Sequence, residues 1–180
     1  MLTHLRRAII VTVVFFVLCG LAYGYAGTGV SQLLFKHQAN GSLTANGSTL
    51  IGQDWSGPQW FQGRPSNAGN GYDPTASGAA NYGPRSKLLQ QAASKQAAAL
   101  RKEDITPTNG LVTSSGSGLD PDISPSDAYD QVQAVANARH LPVSQVRQLV
   151  ASHVHKAQWD FLGMPYVDVL ELNQGLARLR

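Results

Sequence analysis

A few stretches of this chain carry side chains whose type and spacing could do chemistry. The run Ser114-Ser115-Gly116-Ser117-Gly118 could turn backbone N–H groups toward an anion. It lacks the Gly-Lys-Ser/Thr ending of a phosphate-cradling loop, the spacing of GxGxxG and the G-x-S-x-G elbow of a hydrolase, so a tight turn is the simpler reading. Asp120 and Asp122 flank Pro121 and could bind a cation or share acid–base work. No second acidic cluster completes a cage, which favours turn and capping roles. His153 and His155 fall in a stretch of helical periodicity, where residues two apart point to different faces, and this argues against a shared metal. His37 and His140 have no partner suggested by spacing. Arg64 is the lone cation of a neutral segment; pairing with a carboxylate, of this chain or of a partner, stands beside plain exposure. Trp55, Trp60 and Tyr72 could anchor loops on a core or a partner, or stack on the sugars of a cell-envelope polymer. A hydrolase would have to join Ser115 or Ser117 to a distant His. Nothing in these patterns builds a nucleophile, base and oxyanion hole, so an anchored interaction domain is favoured over a free-standing enzyme.

Composition narrows the classes further. The chain has 180 residues, room for one domain with an added anchor, and only 14% are charged. A net charge of +3 excludes disorder by charge repulsion and argues against a nucleic-acid binder. Cys19 is the one cysteine, which excludes an intramolecular disulfide and a cysteine-based zinc cluster.

The N-terminal segment must position everything that follows. No charged residue occurs between Arg7 and Lys36, and the densest part reads AIIVTVVFFVLCGLA. Residues 8–30 would span about 34 Å as a helix, enough for a hydrocarbon core of roughly 30 Å. Arg6 and Arg7 precede the span, so the positive-inside rule keeps residues 1–7 in the cytoplasm and sends residues 31–180 outward. Tyr23 and Tyr25 fall where an interfacial aromatic belt would lie. A retained anchor is favoured over a cleavable signal peptide, whose small-x-small site could be Ala22-Tyr23-Gly24 or Gly24-Tyr25-Ala26. Either way the body lies outside the cytoplasm.

Residues 40–84 hold 9 Gly and 4 Pro but only three charged side chains, Asp54, Arg64 and Asp73, which argues against long helices. Asn40-Gly41 and Asn46-Gly47 are hairpin-turn dipeptides, and short strands are expected near Ser48–Ile51 and Gln59–Phe61. Residues 86–102 are rich in Ala, Leu, Gln and Lys and predict a helix. Leu111-Val112-Thr113 reads as a short strand. Ser124 looks like an N-cap, with Pro125 at the first helical position and Asp127 three residues beyond the cap, and predicts a helix over 125–139. Pro142 opens another, with Val143, Val146, Val150 and Val154 at helical spacing. After Gly163 and Pro165 the chain is β-rich over 166–170 and then suits a short terminal helix. The pattern is α+β: one N-terminal transmembrane helix, then an extracytoplasmic domain with a small sheet and three or four helices.

The order of motifs resembles the C-subunit family of the Kdp potassium-transporting P-type ATPases. The segments are QANGS (38–42), LIGQ (50–53), GRPS (63–66), LVTSSGSGLDPDISP (111–125), ANARHLP (136–142) and VDVLELNQGL (167–176), after one N-terminal span. Local departures exist: Ser77-Gly78-Ala79-Ala80-Asn81 stands where SGGSN is common, and VDVLELNQGL where VNVLELNLAL is usual. The resemblance implies a non-catalytic subunit of the cell inner membrane. Its partners would be a potassium-carrying channel-like subunit, a P-type ATP-hydrolysing subunit and a small single-span peptide. It further implies a catalytic chaperone that raises the pump's ATP affinity, a role that would fall on Ser115, Gly116, Ser117, Gly118 and Gln131. ATP itself would be met only through the complex, and no metal ligand is implied. Because the charge flanks put this domain outside while ATP is cytoplasmic, conformational coupling is preferred to a shared pocket. A cap over the outer potassium entrance, with Asp120 and Asp122 concentrating cations, is a weaker reading, since the body is nearly neutral.

Overall fold

A computed structural model describes residues 2–179; the first and last positions, which the expected segments begin and end on, lie outside it. The chain forms two compact units, Met1–Leu43 and Thr44–Arg180.

The first unit is dominated by one helix, Leu2–Leu34, long and apolar enough to cross a membrane. It consists of α1 (Leu2–Phe15), a π-helical stretch over Phe16–Ala22, and α2 (Tyr23–Leu34). Its apolar side chains are exposed all round, among them Ile9, Val13, Phe16 and Leu18, as expected of a surface meant for lipid and not for a protein core. The helix ends at Phe35, and a single turn, α3 (Lys36–Ala39), follows.

After Ser42 comes a hairpin, β1 (Leu43–Thr44) and β2 (Gly47–Ser48), turning at Ala45-Asn46. From there to residue 86 the chain has no regular element, as its glycine and proline content requires. Then come α4 (Lys87–Lys102), α5 (Asn109–Val112), β3 (Asp122–Ile123), α6 (Pro125–Arg139), α7 (Val143–Ser152), β4 (Val167–Asp168) and α8 (Val169–Ala177). Strands β3 and β4 pair antiparallel, Asp122 opposite Asp168 and Ile123 opposite Val167. The architecture is α+β, with two two-stranded sheets where one small sheet was expected.

The core sits between α6, α7, α8 and the irregular segment. Ala128, Val132 and Val135 of α6 meet Val146 and Val150 of α7, Leu172 and Leu176 of α8, and Phe61, all buried. Each Val, Leu or Phe of this set contributes about 1.5–3 kcal/mol when fully buried. Ser124 caps α6 as expected, accepting from the Asp127 N–H at 3.1 Å, and Ser86 proves to be the cap of α4, accepting from the Leu88 N–H at 3.2 Å.

Three local expectations are corrected. Residues 111–112 are not a strand but belong to the turn α5, because Thr108 Oγ1 caps it by accepting from the Leu111 N–H at 3.2 Å. The helix after Pro142 does not reach Val154; it stops at Ser152, where His153 caps it. His153 and His155 therefore share no helix. Residues 59–61 are not in a strand, although their backbone is paired in another way described below.

Candidate functional site

The loop between α5 and β3 is the most heavily braced polar feature of the second unit. Ser115 is buried, its N–H donating to the Pro65 carbonyl at 3.4 Å, and the Gly118 N–H donates to the Ser115 carbonyl at 3.3 Å. Ser117 accepts at its carbonyl from both Ser77 Oγ and the Gly78 N–H, each at 2.8 Å. Ser66 Oγ donates to the Gly118 carbonyl at 2.5 Å. Gly118 has φ +71°, and a Cβ there would come within 2.5 Å of the Gly78 carbonyl and 2.7 Å of the Ala68 nitrogen. Only glycine fits so close a crossing of two backbones. The loop is thus a turned segment locked onto residues 65–78. Ser115 and Gly116 line an open cleft of about 390 Å³ with Asn81, Tyr82 and Leu89, and Gln131 is not in that lining.

Gln131 lies on α6, fully buried. Its Oε1 accepts from the Gln62 N–H at 2.7 Å and its Nε2 donates to the Gln62 carbonyl at 3.0 Å and to the Asp127 carbonyl at 3.3 Å. Asn173, on α8 and also fully buried, treats the preceding residue alike: Oδ1 accepts from the Phe61 N–H at 3.0 Å and Nδ2 donates to the Phe61 carbonyl at 2.9 Å. Two side-chain amides therefore pair the peptide groups of Phe61 and Gln62 in place of a neighbouring strand. Buried peptide groups must be paired, and this pairing fixes the irregular segment between two helices. The sequence reading missed Asn173, although it stands inside the VDVLELNQGL motif.

Arg64, the lone cation of the segment, joins it to the loop. Its Nη1 pairs with Asp120 Oδ2 at 3.0 Å, and its Nη2 donates to the Ser114 carbonyl at 3.2 Å. Asp120 Oδ1 accepts from the Asp122 N–H at 3.2 Å, the turn role foreseen for it. Tyr72 donates its hydroxyl to the Arg64 carbonyl at 2.6 Å; burial, aided by the nearby Asp54 charge, pushes its pKa up to about 12. The tryptophans serve the core edge: Trp55 and Trp60 pack with ring centroids 5.0 Å apart, and the Arg139 guanidinium lies 4.5 Å from the Trp60 centroid.

Beside the β3–β4 ladder lies an acidic cleft of about 430 Å³, lined by Asp122, Asp168, Glu171, His155 and Tyr166 among others. Asp168 caps α8, accepting from the Glu171 N–H at 2.8 Å, and His155 Nε2 meets Glu171 Oε2 at 3.1 Å. Burial, then the facing Asp168 and Asp120, push the Asp122 pKa up to about 6. Asp168 is also raised, chiefly by burial. Asp122 further lines an adjoining cleft of about 530 Å³ with Arg64, Asp127 and Met164. Among the described residues no group of three His, Cys, Asp or Glu is set to hold a metal ion. His153 instead bonds the Leu149 carbonyl at 2.8 Å and lies against Gly175. His140 ends α6 in the left-handed conformation, and His37 lies in α3 of the first unit.

The chain thus joins one helix long and apolar enough to cross a membrane to a small α+β unit braced by buried amides, the architecture of a single-span, membrane-associated class. The particular family follows from comparison. A family model described as K+-transporting ATPase, c chain, matches residues 5–178. The potassium-transporting ATPase KdpC subunit of Acidobacterium capsulatum is 44% identical over 99% of this chain and 100% of its own length. That of Caulobacter vibrioides is 47% identical over 98% of this chain and 93% of its own. This chain belongs to the KdpC family, a subunit of the Kdp potassium-transporting ATPase complex.

Proposed function

We propose that this chain is a non-catalytic accessory subunit that stabilises the potassium-uptake ATPase and raises the ATP affinity of its P-type subunit. Its partners are the channel-like potassium-carrying subunit, the ATP-hydrolysing subunit and the small single-span subunit. Its N-terminus lies in the cytoplasm, since Arg6 and Arg7 sit near the start of the helix Leu2–Leu34, ahead of its uncharged stretch, and the unit from Thr44 onward is extracytoplasmic. The observation that carries this reading is the family match along nearly the whole chain.

ATP affinity changes through conformation on this reading. A subunit that binds one state of the pump more tightly than another shifts that equilibrium, and tenfold in affinity needs about 1.4 kcal/mol of coupling. Gln131 supports this version, because its amide is already engaged by Gln62 and Asp127. The Ser115–Gly118 loop acts as a rigid surface element and not as a nucleotide cradle. The test is the purified complex with and without this chain. Assembly and a lower apparent KM for ATP are expected with the chain present; an unchanged KM in an intact complex would overturn the chaperone role.

A further inference from the structure

The hairpin over residues 155–166 exposes apolar side chains that the core does not use. His155 and Tyr166 exchange both backbone hydrogen bonds, at 2.9 and 3.0 Å, as do Gln158 and Leu162, both at 2.9 Å. At the tip Trp159 and Asp160 both take positive φ, 53° and 64°. That backbone is unfavourable for bulky L residues, and here it holds Trp159 and Phe161 outward, 73% and 74% exposed. Their rings lie 6.4 Å apart. Met164 is 76% exposed, and Leu162 and Tyr166 are also exposed. Aromatic side chains of this kind supply most of the binding energy when an interface covers them.

The charges beside the patch say what covers it. Tyr166 and Met164 continue from the hairpin into the clefts lined by Asp122, so the apolar and acidic surfaces are contiguous. Glu171 has His155 and Asp120 has Arg64, whereas no hydrogen-bond donor reaches the Asp122 carboxylate among the described residues. Lys156 is the cation of the hairpin itself, and Asp160 stands between the two exposed aromatics. A bilayer is a poor occupant: inserting the rings would carry Asp160 toward hydrocarbon, and an anionic surface would repel the acids. A second copy is also poor, since a two-fold contact would set this acidic surface against itself.

We infer that the 155–166 hairpin and the adjoining Asp122 cleft form one docking surface for a protein segment of a membrane-embedded ATPase subunit, with apolar side chains over Trp159 and Phe161 and a Lys or Arg entering the cleft toward Asp122. This rests on the subunit reading above. The test replaces Phe161 with p-benzoylphenylalanine in the full chain, expressed with the other subunits in potassium-limited cells. Native membranes are irradiated, and the attached peptide is identified by mass. The expected product is an integral-membrane subunit joined at a peptide bearing Lys or Arg near the link. Asp122→Asn, which keeps the shape of the side chain, should lower its yield at least fivefold, as should Trp159→Ser. Attachment to lipid, attachment to a second copy, or a subunit link whose yield Asp122→Asn leaves unchanged would overturn the assignment. Failure of the unsubstituted chain to co-purify with any ATPase subunit would remove the subunit reading and this surface with it. Co-purification without a link at position 161 would remove the surface alone.

Discussion

Gln131 of α6 and Gln62 of the irregular segment hold each other through two hydrogen bonds, 2.7 and 3.0 Å, side-chain amide to backbone peptide. Asn173 does the same for Phe61, so consecutive peptide units are gripped from two helices. The irregular segment thereby gains the order of a strand without a neighbouring strand.

Removing either amide orphans buried peptide groups. Gln131→Ala and Asn173→Ala should each cost about 1–3 kcal/mol, the range for an unsatisfied buried polar group. Chemical denaturation of the full chain in mild detergent measures this. The two losses should couple, since the amides grip adjacent residues, and a double-mutant cycle should return a clearly nonzero interaction energy.

How much of this was legible from the sequence differs by element. The helix α6 was, because Ser124, Pro125 and Asp127 spell a cap in adjacent residues. The apolar helix was, because hydropathy over a long run needs no partner. The β character near residues 59–61 was half legible: the sequence pattern is extended, but the pairing falls on Phe61 and Gln62 and comes from Asn173 and Gln131, far along the chain. The α5 turn was hidden because its cap, Thr108, also donates to Asp127 of α6 at 2.6 Å, a tertiary contact. The acidic cleft was hidden for the same kind of reason, since only the β3–β4 register brings Asp122 against Asp168.

That acid pair sets a pH dependence. An acid whose folded pKa lies above its unfolded value binds a proton more tightly when folded. The stability linked to protonated Asp122 is full below its ordinary pKa of 3.8 and is lost as pH rises through about 6. Asp168, Asp120, Glu171 and His155 are the charged groups around it. Asp122→Asn should therefore raise the melting temperature at pH 8 and change it little near pH 4. A variant less stable than the parent at pH 8 would contradict the account.

Gly118 should tolerate no side chain. Gly118→Ala places a Cβ 2.5 Å from the Gly78 carbonyl at φ +71°, so the loop must leave residues 68 and 78. Loss of several degrees in melting temperature is expected, together with faster proteolysis near residues 66–78. Gly116→Ala, where a Cβ meets nothing within 4 Å, serves as the control and should be close to neutral.

Arg64 should be more than a surface cation. Its guanidinium reaches Asp120 and the Thr113 and Ser114 carbonyls, with the Asp120 pair about a third exposed. Arg64→Lys keeps the charge but cannot span these acceptors, and should lose much of what Arg64→Ala loses, about 1–2 kcal/mol after allowance for solvent screening. A fully neutral Arg64→Ala in denaturation would remove the bridging role.

The most direct test of the central claim is the apparent KM for ATP of the purified potassium-transporting complex, measured with this chain, without it, and with Gln131→Ala. The account expects assembly and a lowered KM with the parent chain, and no labelling of this chain by a photoreactive ATP analogue. Gln131→Ala should weaken the effect in step with its loss of stability. An unchanged KM across all three preparations, or strong photolabelling of this chain itself, would contradict it.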